Sequence, residues 1–226
     1  MKDTRVPYLD ILRAVAVIWM IIFHATYDMR MFNYNHIDFG DGFWYAFPRV
    51  IAGTFLFCVG IALNYTHAGK VSTKAIIKRL KKLGLAALAV SIGTYFFNQS
   101  QWVFFGTLHC ILAGSLLGAF FVHRRRAALI VMLMIMVLQY VVGFDIKWVS
   151  SIIQKPSMDF IPIYPWFWVV LMGILVGPYL SRSAILMRMK TPKFFDFLGR
   201  HSLAIYLLHQ PLLFGALFLY QYLTKR

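Results

Sequence analysis

Glutamate is missing from this chain. All eight acidic residues among its 226 are aspartates, set against 23 Lys and Arg for a formal net charge of +15. The pattern offers no physical reason for the missing acid. Cysteine is nearly as scarce: Cys58 and Cys110 both lie inside apolar runs and show no metal-ligand spacing. That excludes a disulfide framework and a thiolate metal site, and predicts two buried free thiols with no metal. The basic residues form no continuous stripe, so nucleic acid is not an expected partner. The N-terminal MKDTRVPYLDILR lacks a small-residue cleavage site, and the first apolar segment is expected to stay as a helix. No internal repeat and no sign of a second domain appear, so residues 1–226 read as one transmembrane domain.

Apolar surface is what the chain has in abundance. Hydrophobic residues make up 60% of it, and the mean hydropathy is +0.68. Runs of spanning length recur, which predicts an all-α, polytopic transmembrane bundle. Seven spans are expected, near 8–29, 48–67, 83–98, 104–122, 127–143, 164–181 and 202–223. The third is short for about 30 Å of hydrocarbon, so it should tilt little or be shielded by neighbours. Three basic residues in 2–13 (Lys2, Arg5, Arg13), six in 70–82, Arg124 to Arg126, and five in 182–200 fall on one side. Six remain for the other, including the tail pair Lys225 and Arg226. The positive-inside rule then places the N-terminus in the cytoplasm and the C-terminus outside. The basic segment GKVSTKAIIKRLKK suits contact with anionic membrane lipid. The expected location is multi-pass, in a bacterial cytoplasmic membrane.

The first span carries Asp10 and Arg13 at one end and His24 and Asp28 at the other, with almost nothing polar between. At about 100° and 1.5 Å per residue, Arg13 and His24 share a face to within about 20° and stand roughly 16 Å apart. Asp10 is one turn from Arg13 and Asp28 one turn from His24, so each pair is expected to touch. Ionisable groups in a membrane segment suggest a site. A histidine with a neighbouring carboxylate suits general-base catalysis. Arg13 suits a phosphate, although a snorkelling anchor would look the same.

Seven histidines occur. His67 and His123 sit at inner helix ends and His201 at the start of the last span, where structural or solvated roles suffice. His24, His109 and His209 fall within spans, and His36 sits in the aromatic outer loop MFNYNHIDFGDGFWYAFP. The other outer loop carries Asp145, Trp148 and Asp159 and ends in DFIPIYPWF, which holds Trp166. Gly, Asn and Asp among the aromatics suggest ordered turns over a cavity mouth.

At these residues the chain resembles the membrane acyltransferases related to heparan-alpha-glucosaminide N-acetyltransferase. The resemblance rests on LDILRAVAVIWMIIFHATYD, the His36 loop before a span ending FLFCVGIAL, FFGTLHCI, DFIPIYPWF and GRHSLAIYLLHQPLL, in that order. Ten residues between Arg13 and His24 also resemble the Arg-x10-His motif of the acyltransferase-three family. The resemblance implies transfer of an acetyl or other acyl group from cytoplasmic acyl-CoA to an amine or hydroxyl acceptor, a sugar or glycan, across the membrane. The heparan enzyme's outer-loop histidine matches His36, and the essential histidine of the acyltransferase-three enzymes matches His24. Either is a candidate base, with Asp28 beside His24. Under this reading Arg13 with Asp10 would hold a phosphate, and the pantetheine arm would lie along the first helix. Lys78, Arg79 and Lys82 would take nucleotide phosphates. His109, Asp159, Trp166, Tyr206 and His209 would line the acceptor cavity, and a homodimer is compatible with the pattern. A transporter using the same polar stripe is the rival; the lack of an inverted repeat weighs against it. Haem ligation ranks lower, since no two histidines share a convincing depth.

Overall fold

The computed structural model describes residues 6–67, 72–144 and 157–224. Lys2, Arg5, Asp145, Trp148, Lys225 and Arg226, singled out above, lie outside the described residues. Every regular element among those residues is a helix: α1 (Pro7–Met31), α2 (Gly42–Thr66), α3 (Thr73–Phe97), α4 (Thr107–Ala119), α5 (Arg125–Tyr140), α6 (Ile163–Leu180), α7 (Ala184–Arg188), α8 (Lys193–Arg200) and α9 (Ser202–Thr224). Five of these, α1, α2, α3, α6 and α9, are long and apolar enough to cross a membrane, and α4 is a shorter apolar helix. The described residues form an all-helical structure, and the chain is integral to a membrane.

The third span is not short. The basic stretch that reads as an inner loop is helical from Thr73 and continuous with the apolar run, giving 25 residues through Phe97. Ser72 starts it, its hydroxyl accepting the Ala75 N–H at 3.3 Å, the usual N-cap arrangement. Leu85, Leu88 and Ile92 of α3, Ile130 and Leu133 of α5, and Leu212 and Phe218 of α9 all point outward. In water such a surface would be a liability; against lipid it is the expected exterior.

The chain divides into two compact units, Met1–Phe55 with Ala184–Arg226, and Leu56–Ser183. In the first, α1 packs on α7, α8 and α9. Pro7 opens α1 at a position where its missing N–H costs nothing. Asp10 in the first turn faces the positive end of the helix dipole. Gly199 of α8 abuts the α1 backbone at Asp10, and a Cβ there would collide with the Asp10 carbonyl oxygen. This close crossing, between a short helix and the start of the first span, gives no sign in the sequence beyond the glycine itself.

In the second unit α3 packs on α4, and α6 on both α4 and α5. Gly60 and Gly173 let the α2 and α6 backbones meet: a Cβ on Gly60 would strike the Val170 carbonyl, and one on Gly173 the Phe57 carbonyl. Small residues at a crossing are how membrane helices gain packing without a hydrophobic driving force. Asn64 closes the same seam, donating to the Ile174 carbonyl at 3.0 Å. Cys58 and Cys110 are buried free thiols, as expected.

Candidate active site

The first unit gathers most of the polar stripe. Arg13 and Asp10 pair at 3.5 Å, as their one-turn spacing predicts. Further along α1, His24 meets not Asp28 but His209 of α9, ring centroids 4.9 Å apart and edge-on. Asp28 is fully buried and accepts from Gln210 Nε2 at 2.8 Å. The expected His24–Asp28 hydrogen bond does not form, because α9 supplies each residue with a closer partner. Two cross-helix contacts, one turn apart along α1, therefore tie His24 and Asp28 to consecutive residues of α9.

His209 is the better-defined imidazole of the pair. Its Nδ1 lies 2.7 Å from the Tyr206 carbonyl oxygen. A carbonyl only accepts, so in the neutral ring Nδ1 carries the hydrogen and the lone pair lies on Nε2. That Nε2 is buried and has no hydrogen-bond partner among the described residues; the same holds for Asp28 Oδ2 and Gln210 Oε1. His209 Nε2 and Gln210 Oε1 act as acceptors here, as does Asp28 Oδ2 when the carboxyl is ionised, and each left unpaired inside a protein carries a desolvation cost of about 1–3 kcal/mol. Tyr206 also reaches Phe55, ring centroids 6.4 Å apart. Gln210 escaped the sequence reading because an amide beside a histidine gives no ionisable signal. The available clue was a second polar side chain inside an apolar run, just before Pro211.

His36 stands exposed in the α1–α2 loop. The loop is tied back to α1 on either side of it: Asn35 donates to the Thr26 carbonyl at 3.0 Å, and Phe39 packs on Phe23 and Tyr27. Those anchors sit on the turns that flank His24. No contact joins His36 to the His24–His209 pair.

The second unit holds the other expected site residues. His109 is fully engaged: its Nδ1 accepts from the Gly106 N–H at 3.2 Å, leaving Nε2 to donate to Ser91 Oγ at 3.2 Å. Ser91 in turn donates to the Val103 carbonyl at 2.7 Å. His109 thus caps the helix it belongs to. Asp159 serves the same end, accepting the Thr107 N–H at 2.7 Å and the Thr107 hydroxyl at 3.2 Å. Desolvation pushes its carboxyl above the usual range, and the Thr107 bonds pull the other way. Trp166 lies half-buried in the first turn of α6, Lys78 and Lys82 are exposed on α3, and Arg79 donates to Ser115 Oγ at 3.1 Å. No cluster of three or more metal-ligating side chains occurs among the described residues.

Helices long and apolar enough to cross a bilayer, with a buried imidazole–carboxylate–amide cluster between two of them, are the architecture of a polytopic membrane protein with a polar interior. A family model described as heparan-alpha-glucosaminide N-acetyltransferase, catalytic, matches residues 5–211. The chain belongs to that family of membrane acyltransferases, which does not favour the transport reading. Comparison with curated proteins and with solved structures gave no match.

Proposed function

We propose that this protein moves an acetyl or other acyl group from acyl-CoA to an amine or hydroxyl of a sugar or glycan, using the His24–His209 pair as the proton-accepting centre. One observation carries the reading: three buried acceptor atoms, His209 Nε2, Asp28 Oδ2 and Gln210 Oε1, cluster at the α1–α9 contact without a donor. An acceptor substrate brings N–H or O–H donors, the complement of that set.

The step balances simply. The acceptor's proton passes to His209 Nε2 as its nitrogen or oxygen attacks the thioester carbonyl carbon. The C–S bond breaks, and the departing thiolate takes the proton from the imidazolium to leave CoA as the thiol. The Tyr206 carbonyl holds the ring and can stabilise the transient positive charge on it. His24, edge-on to His209, keeps that ring in place and is the second candidate base. His36, anchored over the outer end of α1, is the third. Asp28, oriented by Gln210, would hold the acceptor. Arg13, loosely paired with Asp10, is suited to a donor phosphate, with Lys78, Arg79 and Lys82 contributing charge for the nucleotide. In this reading α4 and α5 complete seven spans, with the N-terminus cytoplasmic as the distribution of Lys and Arg indicates.

The test is transfer of labelled acetyl from acetyl-CoA to a panel of amino sugars and neutral sugars by the purified chain. The variants are H24A, H36A and H209A and their double combinations. At least one single variant should lose turnover while keeping its melting transition. Full turnover in every single and double variant would sink the reading.

A further inference from the structure

In the first unit α7 and α8 are too short to cross a membrane, and neither contributes to the buried cluster at the α1–α9 contact. Residues 184–200, which hold both, carry the basic side chains Arg188, Lys190, Lys193 and Arg200 and a single acid, Asp196. Asp196 is already engaged, accepting from Arg200 Nε at 2.7 Å. Arg188, Lys190 and Lys193 are left as an excess of positive charge, and all three are exposed.

α8 has three faces rather than two. At about 100° per residue, Phe195, Leu198 and Gly199 fall within about 100° of one another. This is the face seated on α1: Leu198 and Gly199 are buried, and a Cβ on Gly199 would strike Asp10. Lys193, Asp196 and Arg200 share a second sector about 60° wide. Phe194 and Phe197 define the third, and there the two phenyl rings are 61% and 56% exposed. Ile185 of α7 and Met189, one turn on, extend the exposed apolar surface.

In water, two phenyl rings on one face of a charged helix forgo the burial that drives folding. Deep in hydrocarbon, the charged sector beside them is expensive. The boundary between the two suits both, with the rings among the acyl chains and the Lys and Arg side chains level with the headgroups. A protein partner would account for the rings, but not for uncompensated positive charge next to them. Lipid is also already at hand, since α9 follows α8 after His201 and turns Leu208 and Leu212 outward. Membrane orientation explains the number of basic residues here and says nothing about the exposed aromatic face.

We infer that the α7–α8 segment lies in the membrane interface as an in-plane anchor, with Ile185, Met189, Phe194 and Phe197 among the acyl chains and Arg188, Lys190 and Lys193 holding anionic lipid headgroups. Because Gly199 seats α8 on Asp10, one turn before Arg13, this anchor also sets the depth at which α1 begins. The inference is independent of the proposed reaction.

The experiment attaches a nitroxide label to F194C, F197C, R200C or L212C, one at a time, in the full chain in nanodiscs. Cys58 and Cys110 are buried, and wild type treated with the same label supplies the background. Collision with oxygen, which dissolves in hydrocarbon, is read against collision with a water-soluble nickel chelate. The oxygen-to-nickel ratio at 194 and 197 should resemble that at the lipid-facing position 212 and exceed that at 200 by about threefold or more. Replacing about one-third of a zwitterionic lipid by an anionic one should raise the ratio at 197 by about twofold. R188Q/K190Q/K193Q should abolish that rise, and K190Q, which lies outside either helix, should reduce it if the triple variant folds poorly. A ratio at 194 and 197 that favours nickel overturns the inference by placing the face in water. Poor collision with both reagents also overturns it, by covering the face with protein, and recovery on dilution would identify a second copy of the chain. No response to lipid charge, or one that survives the substitutions, removes the headgroup contact and overturns the inference as well.

Discussion

His109 and His209 sit in comparable apolar helices, yet the fold treats them oppositely. His109 has a partner on each nitrogen, Gly106 N–H on one side and Ser91 on the other. His209 has one nitrogen fixed by the Tyr206 carbonyl and the other buried without a partner among the described residues. A satisfied imidazole stabilises the helix it caps. One held by a single bond, with its remaining lone pair buried among other acceptors, costs stability, and under the proposed function that cost is the counterpart of its role as a base. The difference teaches that histidine inside a span is not itself a functional signal, because the fold can satisfy both of its nitrogens.

The comparison breaks first at His209. H209N removes the bare Nε2 and should lower acyl transfer by about 10²–10⁴-fold, the usual contribution of a positioned acid–base group, while the melting transition changes little. Turnover within a few-fold of wild type would place the base at His24 or His36 instead. The second effect is smaller and falls on stability. H109A strips the cap of α4, orphans the Gly106 N–H and removes the donor to Ser91 Oγ, which keeps its own bond to the Val103 carbonyl. About 2 kcal/mol should be lost, or roughly 4–8 °C in Tm for a chain of this size. The folded fraction should keep its turnover per molecule. If H109A abolished transfer and H209N did not, the two residues would have exchanged the roles argued for them.

Much of the fold was legible because spanning length is a strong signal. The runs near 8–29, 164–181 and 202–223 became Pro7–Met31, Ile163–Leu180 and Ser202–Thr224. The start of α3 was not, since Lys78, Arg79, Lys81 and Lys82 look like a loop to a hydropathy reading while favouring helix by propensity. At the site, helix periodicity placed Arg13, His24 and Asp28 on one stripe and gave the Arg13–Asp10 pair. It failed for His24–Asp28 because spacing within one helix says nothing about a competing partner on another. Only the packing of α9 on α1 shows that Gln210 takes the carboxylate and His209 meets His24. Gly199 was unreadable for the same reason: a close approach is a property of two chain segments, and the sequence displays one at a time.

The weakest of the expected effects lies with a third histidine, intermediate between the other two. His67 is buried, accepts one backbone N–H and faces Arg79 and His123. Burial first, then those two positive neighbours, hold its imidazole below the ordinary value of 6.5. The native state therefore keeps it neutral, and the unfolded chain binds the proton more readily. The stability that its neutral form contributes is complete above the unfolded value and is lost as pH falls from there towards the lower native one. Melting curves between pH 7.5 and 5.5 should show a declining Tm, and H67Q should flatten part of that slope while lowering Tm at neutral pH, where the Ser72 contact is disturbed. A slope identical in wild type and H67Q would mean that His67 does not contribute to the pH dependence.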